Sequence, residues 1–132
     1  MIHEEICTYE VCKLAKEKGF PQGPKRNGKC RIYTLNKSKN SYVLCDWAVW
    51  ISAPWASEVI AAPTQSLLQR WLREEKGIII ELKYSDSTES WRPFWSWCIY
   101  NNWGITLEIG DNSATYELAL EDALKYALKN LV

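Results

Sequence analysis

The sequence predicts an α+β fold. The expected form is a two-layer sandwich, a mostly antiparallel sheet of about five strands with three helices packed on one face, in the order αββαβββα. Three observations predict it. Apolar residues recur at helical spacing in three separate segments, each opened by a capping Thr or a first-turn Pro. Between them lie runs rich in β-branched and aromatic residues with alternating faces. Those runs follow one another through short polar stretches, which pairs neighbours antiparallel.

Thr8 caps a first helix over residues 9–18, with Val11, Leu14 and Ala15 on one face, and Gly19 stops it. Residues 20–29 combine Pro, Gly and basic side chains and read as an exposed loop. Two strands follow, at 30–35 and 42–51. In the second, Val43, Cys45, Trp47, Val49 and Ile51 share a face, and the opposite face is not polar either, so it reads as covered on both sides. Residues 36–41 form the connecting turn, and 52–62 an irregular connector. Pro63 and Thr64 open a second helix whose stripe is Leu67, Leu68, Trp71 and Leu72, and Gly77 ends it. A half-buried strand then alternates Ile78, Ile80, Leu82 and Tyr84 with Ile79, Glu81 and Lys83. A polar loop at 85–90, a strand at 94–100 and an Asn-Asn-Trp-Gly turn at 101–104 lead to a last strand with Ile105, Leu107 and Ile109 facing inward. Thr115 caps the closing helix, where Tyr116, Leu120, Ala123, Leu124, Ala127, Leu128 and Leu131 recur at helical spacing. Acids near its start and Lys125 and Lys129 near its end complement the helix dipole.

The length of 132 residues suits a single domain spanning 1–132. No apolar run reaches the roughly 18 residues of a membrane helix. The polar, acidic start is not a secretory signal. The 16 basic and 16 acidic side chains cancel, which argues against long nucleic acid as a partner. The charges are unevenly spread: residues 1–39 hold nine Lys/Arg against four Glu, and the rest seven against twelve Asp/Glu. That asymmetry can steer an anionic ligand toward the N-terminal third. Five cysteines, an odd number with no Cys-x-x-Cys pair, fit neither a disulfide framework nor a zinc site. They read as free thiols in a reducing cytoplasm, with no metal and no cofactor.

The stretch from Gly23 to Cys30 nearly spells a phosphate-binding loop, but Cys30 stands where the magnesium-binding hydroxyl belongs and Pro24 removes an N–H. A helix precedes it and a strand follows, the reverse of what such a loop needs, so it reads at most as a basic anion contact. The one His, His3, sits at a terminus, which leaves the cysteines without a base. Asp46 is the most unusual acid because it interrupts an apolar strand. No residue is assigned to catalysis, and the sequence leans against an enzyme. A small carboxylate-dependent enzyme acting on a nucleotide or phosphodiester stays open as an alternative, as does a structural oligomeric scaffold.

The eight tryptophans are the functional lead. Trp91, Trp95, Trp97 and Trp103 crowd into thirteen residues with Arg92 among them, and Trp47, Trp50 and Trp55 form a second group. Aromatic rings stack on nucleobases at about 1–3 kcal/mol each, and the same side chains anchor protein interfaces. The expected ligand-binding set is Trp91, Trp95, Trp97 and Trp103 as stacking groups, with Arg92, Lys25, Arg26 and Lys29 as anion contacts. The expected activity is non-catalytic binding, through an aromatic-rich sheet surface or rim, of a nucleotide-like small molecule or a bacterial protein. A homo-oligomer would bury the sheet face that the helices leave open.

Ala62-Pro63-Thr64-Gln65, then Trp71-Leu72-Arg73-Glu74, a short isoleucine strand and Thr115-Tyr116-Glu117-Leu118-Ala119-Leu120 carry a resemblance. Over the C-terminal two thirds, the chain is similar to small proteins of phages and prophages of gut anaerobic bacteria, a group with no assigned activity. The tryptophans around 91–103 and the basic loop at 24–31 depart from that group. The resemblance implies a phage accessory protein in the cytoplasm of a bacterial host, of the kind that disables a defence protein or sequesters a nucleotide signal.

Overall fold

A computed structural model describes residues 4–22, 31–36, 41–46, 59–85 and 94–132, the side chains of Leu35, Asn36, Cys45, Asp46, Asp111 and Asn112 excepted. Among the described residues there are three helices and six strands, in the order αβββαβββα. The α+β class is as expected. The single five-stranded sheet is not what forms: the six strands make two antiparallel sheets of three. The chain divides into two compact units, residues 6–64 and residues 1–5 with 65–132.

The first unit contains α1 (Tyr9–Glu17), β1 (Arg31–Asn36), β2 (Ser41–Asp46) and β3 (Val59–Ala61), with the strands in the order β2-β1-β3. Helix α1 begins where expected because the Thr8 side chain accepts from Val11 N–H, and it ends where Gly19 takes a positive φ of 97°. Val11, Cys12 and Ala15 are its buried residues. Tyr9 on α1 stacks on Tyr42 at 4.0 Å and meets Tyr33 edge-on at 5.8 Å. The Tyr33 hydroxyl donates to Cys7 O at 2.9 Å. Strand β3 lies inside the stretch expected to be an irregular connector. Three residues are too few for a periodic signal, and their order comes from tertiary bonds. Lys16 Nζ donates to Val59 O at 3.1 Å, and Ala61 N–H donates to Gln22 Oε1 at 2.8 Å.

The second unit contains α2 (Gln65–Lys76), β4 (Ile79–Ser85), β5 (Phe94–Tyr100), β6 (Thr106–Ser113) and α3 (Tyr116–Asn130), with the strands in the order β4-β5-β6. Gly77, at φ 67°, turns the chain from α2 into β4. Helix α3 packs across all three strands, and α2 packs on α3 and β4. The core between them is Leu68 and Leu72 from α2, Leu120, Leu124 and Leu128 from α3, and Ile80, Trp97 and Ile99 from the sheet. Each fully buried leucine contributes about 1.5–3 kcal/mol of transfer free energy, so this helix-on-sheet layer anchors the unit. Two of the three helices therefore share this sheet, while α1 belongs to the other unit. Among the described residues, no helix is long and apolar enough to cross a membrane.

Strand β6 reverses an expectation. Ile105, Leu107 and Ile109 do not face inward: they are 59%, 39% and 66% exposed. Glu108 and Gly110 stand opposite Ile99 and Trp97 and take the inner side instead. The cause lies on neighbouring elements. The Trp97 indole occupies the space a side chain at 110 would need, and Tyr126 of α3 gives the Glu108 carboxylate a hydrogen bond of 2.7 Å. Because side chains alternate along a strand, fixing Gly110 and Glu108 inward sends Ile109 outward.

Candidate functional site: the Trp103 hairpin

The turn between β5 and β6 is built by Asn101. Its side-chain Oδ1 accepts from Trp103 N–H at 2.9 Å and from Ile105 N–H at 3.0 Å. Its backbone N–H donates to Ile105 O at 3.0 Å, and Gly104 N–H returns to Asn101 O at 3.1 Å. Gly104 sits at φ 74°, a conformation that glycine adopts without strain. This closed set of bonds holds Trp103 at the tip with 86% of its surface in water. A tryptophan left that exposed on a braced turn presents a large amphipathic ring at low ordering cost to whatever meets it.

On the face of the sheet turned away from α3, Ile109 stands opposite Cys98, and Cys98 opposite Glu81. Tyr100 lies two residues along on the same face. Its hydrogen bond with Cys98, then the charges of Cys98 and Glu81, push its phenol up to about 12. The polar row and the exposed Ile109 are thus side by side. At the other end of the sheet, Trp95 meets Tyr84 at 5.2 Å and Tyr116 at 5.2 Å, both edge-to-face. Those rings fill each other's faces, and Trp95 is half-buried among them.

The expected ligand-binding residues fall into three groups. Trp103 is fully presented and Trp95 is half-buried. Trp97 is 6% exposed, packed on Gly110 and, at 5.5 Å, on the Tyr126 ring, so it belongs to the core rather than to a stacking surface. Trp91, Arg92, Lys25, Arg26 and Lys29 lie outside the described residues, as do Trp47, Trp50 and Trp55. Asp46 is described in backbone only. Sequence reasoning missed Ile105, Leu107 and Ile109 as surface residues. The Glu-x-Gly at 108–110 was the available signal, since a strand that turns Gly inward makes room for a bulky neighbour.

A scan against family models, a search of curated proteins and a search of solved structures each found no match.

Among the described residues, no cluster of His, Cys, Asp and Glu has the make-up of a metal site. A separate small cavity of about 160 Å³ is lined by Glu4, Glu5, Gln65, Ser66, Tyr116 and Glu117 among others. Its polar groups bind one another: Ser66 Oγ donates to Glu4 at 3.1 Å, and Gln65 Nε2 donates to Glu117 O at 2.9 Å and to Glu121 Oε2 at 2.7 Å. These bonds tie α2 to α3 and to the start of the chain, which is structural work.

Proposed function

We propose that the protein is a non-catalytic binding module that engages a protein partner through the Trp103 hairpin and the exposed residues of β6. The observation that carries this reading is Trp103 itself, 86% exposed on a turn held by four hydrogen bonds. Small ligands bind in concave sites that enclose most of their surface. A ring at the tip of a projecting hairpin suits a pocket on another macromolecule, where tryptophans are among the commonest energetic anchors. Together with the resemblance to phage and prophage proteins, the reading is of an accessory protein that acts by occupying a bacterial protein. The test is retention of proteins from a bacterial lysate on immobilised chain and on Trp103→Ala, beside a thermal-shift panel of nucleotides. Loss of a specific protein with Trp103→Ala and no shift with nucleotides is expected. Identical retention by both chains would sink the reading. A nucleotide shift of the size that about hundredfold saturation gives, about 2.7 kcal/mol, would move it to a small ligand.

A further inference from the structure

The entry to α1 holds two cysteines, away from the Trp103 hairpin and independent of its role. We propose that Cys7 and Cys12 are a redox pair that closes into a disulfide across the N-terminus of α1 when a small-molecule disulfide oxidises them. Thr8 is the N-cap of α1, so Cys7 stands one residue before the cap and Cys12 at the fourth helical position. Side chains at those two positions meet at a helix entry, where an apolar pair commonly clamps the incoming chain. Here both members of the clamp are thiols, and both are 0% exposed. Cys98 has no such setting: its cross-strand neighbours are Glu81 and Ile109.

The backbone of the cap brings the pair together. Thr8 is extended, at φ −65° and ψ 159°, which folds residue 7 back over the first helical turn. With ideal helix geometry beyond the cap, the two Cα atoms stand about 6 Å apart, inside the roughly 4.4–6.8 Å that a disulfide spans. The contact between the two residues agrees, since the Cys12 thiol donates to Cys7 O at 3.6 Å. Cys7 is held in that place by its backbone. Its N–H donates to Pro63 O at 3.0 Å, and its carbonyl also accepts from the Tyr33 hydroxyl at 2.9 Å. Neither bond involves a sulfur, so the disulfide displaces only the Cys12 thiol contact. Burial shields both thiols while α1 is closed, and opening of its first turn admits the oxidant. The chemistry is thiol–disulfide exchange with glutathione disulfide. One cysteine thiolate attacks it, forming a mixed disulfide and expelling a glutathione thiolate. The second cysteine, as its thiolate, attacks the chain sulfur of that mixed disulfide and expels the other. The chain loses two electrons and two protons, and glutathione disulfide becomes two thiols.

The experiment equilibrates the full wild-type chain in glutathione buffers of graded redox ratio, with and without denaturing urea. Acid quenches exchange, remaining thiols are alkylated, and tryptic peptides are weighed by mass spectrometry. Residues 1–12 contain no Lys or Arg, so both cysteines fall in one peptide, 1–13. The expected product is that peptide lacking two hydrogens and carrying no alkyl group, and reduction before alkylation removes it. Its equilibrium constant should be at least about tenfold higher in the folded chain than in urea, because a cross-link that fits the fold is favoured by the stability it adds. An equal or smaller constant in the folded chain overturns the proposal, since the fold then does nothing to join the pair. Recovery of Cys7 or Cys12 chiefly bonded to another cysteine of the chain, or left as a glutathione adduct, overturns it as well.

Discussion

Gly110 and the Trp97 indole face each other across β5 and β6 with no room between them for a methyl group. A Cβ at 110 would overlap the five- and six-membered rings of a side chain that is itself pinned beneath α3. Gly110→Ala is therefore expected to destabilise the fold by about 1–3 kcal/mol, the usual range for overpacking a filled site. Urea denaturation followed by tryptophan fluorescence measures it. Trp97→Phe in the same background should return part of the loss, and a double-mutant cycle reads the coupling directly. An unchanged midpoint for Gly110→Ala would mean that Trp97 does not lie over the strand.

Glu108 gives the unit a pH dependence. The Tyr126 hydroxyl, and then the Ile109 N–H, stabilise its carboxylate and hold its carboxyl below the usual carboxylate range. A group whose folded pKa is depressed contributes stability above its unfolded pKa, near 4.3, and loses it as pH falls through the folded value. Glu108→Gln is expected to flatten the acid limb of stability below about pH 4.3 relative to wild type. Denaturation midpoints at neutral pH and at successive acid pH values would show it. Tyr126 has the opposite sign. The Glu108 hydrogen bond, burial and the Glu108 charge raise its pKa, so its contribution is present below its unfolded value, near 10, and fades as pH rises through the raised one.

Asn101 and Trp103 should separate stability from recognition. Asn101→Ala removes an acceptor that serves two backbone donors and is expected to cost about 1 kcal/mol. Trp103→Ala touches an exposed tip and is expected to stay within about 0.5 kcal/mol of wild type. Acrylamide quenching supplies the second readout, because the readily quenched component should shrink with Trp103→Ala and persist with Asn101→Ala. A quenching curve unaltered by Trp103→Ala would show that the ring is covered.

Gln65 is 4% exposed and joins α2 to α3 as a donor, to Glu117 O and to Glu121 Oε2. Replacing the donor by Ala is expected to cost about 1–3 kcal/mol. Gln65→Glu keeps the shape but sets a carboxylate against two acceptors, so it should cost more than Ala at neutral pH. Thermal unfolding of both variants ranks them, and the reverse ranking would show that the side chain contributes through packing alone.

The helices were legible because their limits are written locally. Thr8 and Thr115 cap α1 and α3, and Gly19 and Gly77 mark helix exits, all as the residue chemistry implies. Strand β5 was legible as well, at 94–100. Three things were not. The three residues of β3 carry no periodicity and are ordered by Lys16 and Gln22. The inner side of β6 is chosen by Trp97 and Tyr126, which belong to other elements, so an alternating apolar row pointed the wrong way. The partition into two sheets depends on which strands find each other, and pairing is a long-range choice that neighbouring residues do not encode. Of the tryptophans expected to bind, Trp103 was readable as a surface group because Asn and Gly flank it in a turn. Trp97 was not readable as core, because its cover comes from α3.

The ammonium of Lys16 and the amide of Gln22 already hold a carbonyl and an N–H of β3. An invading strand from another molecule would have to evict both before it could template on that border. A terminal strand with its backbone groups engaged in this way is a poor seed for cross-β growth, however short and apolar it is. Lys16 and Gln22 thereby occupy one backbone group each of Val59 and Ala61.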